Sequence, residues 1–149
     1  MILERLKHDL PVEDEEFNSI YPESIKQLSN KHWTPVAVAK AAAEFLANIP
    51  GMRVLDIGSG VGKFCMIGSI VSKGHFTGVE YREDLCRLST ELSKEYGLSN
   101  VEFIHDNITH INFKDFGAFY FFNSFIENMS EACSAYKCTL IRTIYAVFT

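Results

Sequence analysis

Residues 53–64 read Arg-Val-Leu-Asp-Ile-Gly-Ser-Gly-Val-Gly-Lys-Phe, and they leave the backbone little choice. Val54, Leu55 and Ile57 are apolar and mostly β-branched, as a short buried strand requires, with Asp56 near its end. Gly58, Gly60 and Gly62 lack a Cβ, so the chain can turn sharply there and let a ligand approach the backbone closely. The apolar run over residues 61–71 suits a helix whose first N–H groups point back at that ligand. Strand, glycine turn and helix together make the ligand-binding corner of an open parallel sheet, outside the carboxyl ends of its strands.

Three ligand classes use such a corner, and spacing separates them. A dinucleotide fingerprint needs G-x-G-x-x-G, but Lys63 stands where the third glycine belongs. A P-loop needs G-x-x-x-x-G-K-[ST]; Gly62-Lys63 is present, yet Ile57 replaces the first glycine and Phe64 the hydroxyl residue. What remains is Asp-x-Gly-x-Gly-x-Gly, from Asp56 to Gly62. It resembles the first motif of the class I methyltransferases that use S-adenosyl-L-methionine (SAM). Residues 76–80, Phe-Thr-Gly-Val-Glu, read as the second parallel strand, ending in a carboxylate. Glu80 follows Gly62 by 80 − 62 = 18 residues, about the length of one helix plus one strand. Its two oxygens can accept from both hydroxyls of a ribose. This resembles the second motif of the same family.

The resemblance implies an α/β fold with an open, mainly parallel Rossmann-like sheet and helices on both faces. It implies SAM as cofactor and S-adenosyl-L-homocysteine as product. By that similarity Gly58, Ser59, Gly60 and Gly62 hold the methionine part, and Asp56 organises the turn or accepts from the cofactor ammonium. Residues 101–104 form the third strand, and Asp106 matches the slot that receives the adenine amino group, with Asn107 beside it. Tyr81 either flanks the adenine or is an ordinary surface residue. His105 is a structural residue at a strand end or a base.

Further upstream, residues 2–10 suit a short amphipathic helix that Pro11 breaks. The acidic run Glu13-Asp14-Glu15-Glu16 reads as a solvated loop or first turn. Residues 1–34 are expected to form a helical cap or a lid over the cofactor edge, with the SAM-binding domain over 35–149. His32-Trp33-Thr34-Pro35 places a good N-cap, Thr34, before a proline suited to the first helical position of an Ala-rich helix. Amine-directed methyltransferases carry a similar aromatic-Thr-Pro element beside the methionine end of the cofactor. Trp33 and Thr34 are therefore either cofactor contacts or a packing tryptophan and a capping threonine.

Residues 83–96 put Leu85, Leu88, Leu92 and Tyr96 on one helical face, ending at Gly97. Residues 116–122 are an unbroken apolar run, expected of a strand covered on both sides. Asn123-Ser-Phe125 follows. An Asn-x-Phe there, with the glycine motif and Gly78-Val-Glu-Tyr81, is similar to the class I-fold histone lysine methyltransferase group. That similarity implies transfer to an amine nitrogen, with Asn123 and Phe125 as catalytic residues and Tyr120 or Phe122 completing an aromatic wall. Residues 128–137 suit a short helix and 139–149 a further strand, giving about five strands where the family builds more. An apolar edge strand there invites pairing with a second copy.

Composition narrows the setting. Apolar residues make up 47% of 149, and the net charge of −5 favours a protein or small-amine acceptor over nucleic acid. No apolar run is long enough to cross a membrane. The charge-interleaved start does not read as a signal peptide. Cys65, Cys86, Cys133 and Cys138 lack metal-binding spacing and read as reduced thiols, so a cytoplasmic, metal-free protein is expected. Two other readings stay open: a SAM-binding regulator without catalysis, and an NAD-linked oxidoreductase, which Lys63 disfavours. A pure interaction module has no need of acids at three strand ends.

Overall fold

A computed structural model describes residues 1–27, 29 and 33–122. Six helices are named here: α1 (Ile2–Lys7), α2 (Asp14–Asn18), α3 (Glu23–Lys26), α4 (Val36–Leu46), α5 (Lys63–Val71) and α6 (Glu83–Glu95). Four strands accompany them: β1 (Arg53–Ile57), β2 (His75–Glu80), β3 (Val101–His105) and β4 (Ala118–Phe121). The strands form one parallel sheet in the order β3-β2-β1-β4. The order reverses at β1. The chain moves outward from β1 to β2 and β3, then crosses back to place β4 on the other side. A crevice opens at such a reversal, beyond the carboxyl ends of the strands. The predicted open parallel α/β sheet is what forms.

Period-two alternation divides the sheet. Val54 and Asp56 on β1, Phe76 and Gly78 on β2, Phe103 on β3 and Tyr120 on β4 face α5 and α6. α5 is buried along seven consecutive residues, Lys63 to Ser69, as a helix between sheet and neighbouring helices must be. Phe64 stacks on Tyr120 with centroids 3.6 Å apart and meets Phe76 edge-on at 5.7 Å. Each fully buried side chain of this kind contributes about 1.5–3 kcal/mol of transfer free energy. α4 lies along α5, sending Val36, Ala39, Ala42, Ala43 and Leu46 into the same core.

Residues 1–27 join that core rather than lying apart from it. Leu6, Phe17 and Tyr21 are buried with Val54, Phe64 and Phe76, and α1 packs against α5. The acidic run is the first turn of α2, not a solvated loop. Glu13 and Glu16 close a reciprocal capping box around it. The helix after Pro35 also begins differently from the sequence reading. Pro35, not Thr34, holds the cap position and makes no side-chain cap bond. The Val36 N–H instead donates to Asp14 Oδ1 at 2.8 Å, from 22 residues earlier. α5 begins at Lys63 because Gly62 takes a left-handed conformation, φ +76°, that ends the turn. The expected helix over 128–137, the strand over 139–149, the self-pairing edge, Cys133 and Cys138 lie outside the described residues.

Candidate functional site

The site is built on the turn between β1 and α5. Gly58, Gly60 and Gly62 all have positive φ, at +72°, +56° and +76°. Gly58 and Ser59 both donate their N–H to the Val79 carbonyl, and Gly62 donates to the Ser59 carbonyl, so the loop is tied to β2 and to itself. A Cβ on Gly60 would meet nothing within 4 Å. The turn therefore presents a bare backbone to open space at its middle.

Glu80, at the end of β2, is buried beside it. Its Oε2 accepts from the Gly60 N–H at 2.7 Å, and its Oε1 accepts from the Arg82 N–H at 2.9 Å and Arg82 Nε at 3.0 Å. Those three bonds aim the carboxylate at the glycine turn. An ionised carboxylate has about four acceptor positions, so one further hydroxyl can still be held. Ser59 Oγ is buried with no partner, while Gly78 opposite it is so close that a Cβ there would lie 2.6 Å from that oxygen. An orphaned hydroxyl under an open glycine turn suits a polar ligand.

Asp56 sits deeper, with 4% of its surface exposed. Its Oδ2 accepts from Cys65 Sγ at 3.5 Å, in the first turn of α5. Desolvation pushes its carboxyl up to about 7, the Cys65 contact opposes that rise, and the nearby Glu80 charge adds to it. The same burial, with Asp56 alongside, pushes the Cys65 thiol well above its ordinary range. Two acids at adjacent strand ends thus converge on one turn.

The remaining sequence candidates fall around this centre. Asp106 follows β3, where its N–H donates to the Glu80 carbonyl at 3.3 Å. Its side chain is held on its own turn, accepting from His110 Nδ1 at 2.7 Å and the Asn107 N–H at 2.6 Å, and the His110 bond lowers its pKa. Asn107 caps that turn through Thr109. Tyr81 is 74% exposed, and its carbonyl meets His105 Nε2 at 3.0 Å, which gives His105 a structural bond. Trp33 packs on Tyr21, ring centroids 4.7 Å apart. Thr34 is buried and its Oγ1 pairs with Tyr120 Oη at 3.0 Å, so the hydroxyl caps no helix. Tyr120 is stacked on Phe64 in the core and is not part of an open aromatic wall. Asn123 and Phe125 lie outside the described residues. No metal-holding cluster occurs among the described residues.

Sequence reading missed Lys63. It enters the sequence reading only as the residue that breaks the dinucleotide fingerprint, yet it is buried at the first position of α5 and paired with Asp14 at 2.6 Å. Its only signal was a lysine in an otherwise apolar helix.

A methyltransferase-domain family matches residues 48–149, more than two thirds of the chain. The chain belongs to that family. SAM is its cofactor, and the open glycine turn, the Glu80 carboxylate and the unpartnered Ser59 hydroxyl are groups that fit it. A demethylmenaquinone methyltransferase of Listeria welshimeri is 36% identical over 67 residues, covering 44% of this chain and 28% of that one. The chain thus spans well under a third of the relative's length. An RNA methyltransferase from Salinibacter ruber, solved with S-adenosyl-L-homocysteine, shares the fold at TM-score 0.53, with 22% identity over 58% of this chain and 57% of that chain. The [4+2]-cyclase SpnF shares it at TM-score 0.57, with 22% identity over 62% and 35%. The class I methyltransferase fold accounts for all three likenesses; the histone lysine group is not singled out by any of them. Among the described residues, no helix is long and apolar enough to cross a membrane.

Proposed function

We propose that the protein transfers the methyl group of SAM to an amine nitrogen, a protein lysine being the acceptor class closest in motif style. The observation that supports donor binding most directly is the Glu80 carboxylate aimed at Gly60 beside open space. When bound, SAM supplies a methyl group on a sulfonium, already a strong electrophile, so the protein's task is positioning and desolvation. Glu80 holds a ribose hydroxyl at its remaining acceptor position. The bare backbone of the glycine turn at Gly60 borders the methionine part, with Ser59 Oγ as its unpartnered polar group, and Asp56 supports that end through the turn. Asp106, with its neighbour Asn107, borders the adenine. Asn123 accepts a hydrogen bond from the amine through its side-chain carbonyl and aims the nitrogen lone pair. Phe125 lines the path with an apolar, aromatic surface that favours a developing methylammonium.

One other acceptor and one reading without transfer have their own support. The Listeria relative's name favours a quinone-type acceptor. The cyclase neighbour shows that this fold occurs in a protein named for other chemistry, which leaves room for a SAM binder without transfer. Incubation with radiolabelled SAM and fractionated cell extract separates them. Label in protein or small-amine fractions supports the amine reading, label in the lipid extract supports the quinone, and no label with intact SAM binding leaves the regulator. With an amine acceptor in hand, Asn123→Ala should lower kcat by roughly a hundredfold and change SAM affinity by less than about threefold. An unchanged kcat removes Asn123 from the mechanism.

A further inference from the structure

We infer that Asp14 and Lys63 are a positioning pair that clamps residues 1–27 onto the glycine turn and thereby sets how firmly the amino-acid end of the methyl donor is held; this rests on the SAM reading above. Lys63 is an unexpected residue at its position. It occupies the first turn of α5, where a helix favours acids over bases, and α5 has no acid there. Lysine side chains usually keep the ammonium in water. Here 4% of the side chain is exposed, so the charge needs a close partner. The partner is Asp14 Oδ1 at 2.6 Å, 49 residues away, and the Phe17 ring lies 5.7 Å from Nζ. Desolvation lowers the Lys63 pKa, which Asp14 offsets.

The same Asp14 oxygen also accepts from Val36 N–H at the start of α4. One atom therefore joins α2, α4 and α5. A second tether runs alongside it, with Tyr21 Oη donating to the Val61 carbonyl inside the turn at 3.1 Å, away from solvent. Tyr21 then packs on Trp33, and the adjoining Thr34 bonds Tyr120 on β4. The N-terminal segment thus grips the Val61–Lys63 half of the turn and reaches towards β4. Glu80 engages the other half, at Gly60, on the side of β2 and β3. A nucleoside held by Glu80 leaves its amino-acid tail to extend towards the half under the segment.

The test uses the full chain, calorimetric binding of S-adenosyl-L-homocysteine and of methylthioadenosine (the nucleoside thioether without the tail), and the fluorescence of Trp33, the only tryptophan. Asp14→Asn keeps an oxygen for the Val36 N–H and removes the counter-charge. It should raise the S-adenosyl-L-homocysteine Kd by about tenfold, move the methylthioadenosine Kd by less than about twofold, and shift Trp33 emission to the red. Asp14→Glu should recover most of the lost affinity. Lys63→Met, which leaves no buried charge to destabilise the fold, should show the same selective loss and so covers an Asp14→Asn variant that does not fold. Wild-type affinity for S-adenosyl-L-homocysteine in whichever variant folds, or equal losses for the two ligands, overturns the inference. If the wild type binds neither ligand, the SAM reading fails, and an unshifted Trp33 spectrum in the variants then refutes the clamp separately.

Discussion

Replacing Asp56 by Asn should change how stability depends on pH, in a direction fixed by burial. The carboxyl titrates at about 7 in the folded chain against 3.8 when exposed. Below the lower value both states carry the proton and burial costs nothing. Between the two values the unfolded chain has lost its proton while the folded chain keeps it, so stability falls as pH rises; above the upper value the loss is complete. The full span, 7 − 3.8 = 3.2 units, corresponds to about 4 kcal/mol. Integrated from about pH 5.5 to pH 8, Asp56 should remove roughly 2 kcal/mol from the wild type. Asn keeps the shape and an acceptor for Cys65 Sγ but cannot ionise. Urea unfolding of both proteins at the two pH values measures the difference, because every other titrating group is shared. The wild type should lose about 2 kcal/mol more than Asp56→Asn over that interval. Equal losses would show that Asp56 ionises in the folded chain much as it does in water, and the account of a desolvated acid beneath the turn would be wrong.

The two kinds of glycine around the site should separate binding from folding. Gly60→Ala meets no atom within 4 Å, so it should cost only the left-handed strain of about 1–2 kcal/mol while its methyl group blocks the open backbone, weakening S-adenosyl-L-homocysteine by more than about tenfold in calorimetry. Gly78→Ala would put a Cβ 2.6 Å from Ser59 Oγ and 2.7 Å from the Phe103 ring, and should lower the unfolding free energy by about 1–3 kcal/mol in a denaturant titration. Tyr120→Phe leaves the Thr34 hydroxyl without that partner in the core and should cost about 1–3 kcal/mol by the same measurement, with methyl transfer little changed.

The elements set by backbone geometry were legible in the sequence. Three alternating glycines have one economical use, and Glu80 stands at a helix-plus-strand distance from them, so β1, the turn, α5 and β2 could be read residue by residue. Strand and helix ends moved only slightly: α5 starts after Gly62 once that glycine turns left-handed, and β4 narrows to Ala118–Phe121. What could not be read depends on pairing across long separations. Thr34 looks like a cap by local rules, but Tyr120 is 86 residues away and takes its hydroxyl. Asp14 looks like one of four solvated acids until the Val36 N–H and Lys63 Nζ are seen to share its oxygen. Local propensity sees neither partner. Asp106 was correctly placed after β3, but its bond to His110 belongs to a turn that no motif describes.

The strand order also bears on how the molecule is assembled over time. Val54 pairs with Phe76 across 76 − 54 = 22 residues, but with Ala118 across 118 − 54 = 64. Closing the longer loop carries the larger entropic cost and is the slower event. A chain growing from its N-terminus can therefore register β1, β2 and β3, with the glycine bend among them, well before β4 docks. The glycine turn and its bond to Glu80 can thus be in place before β4 takes its position beside β1.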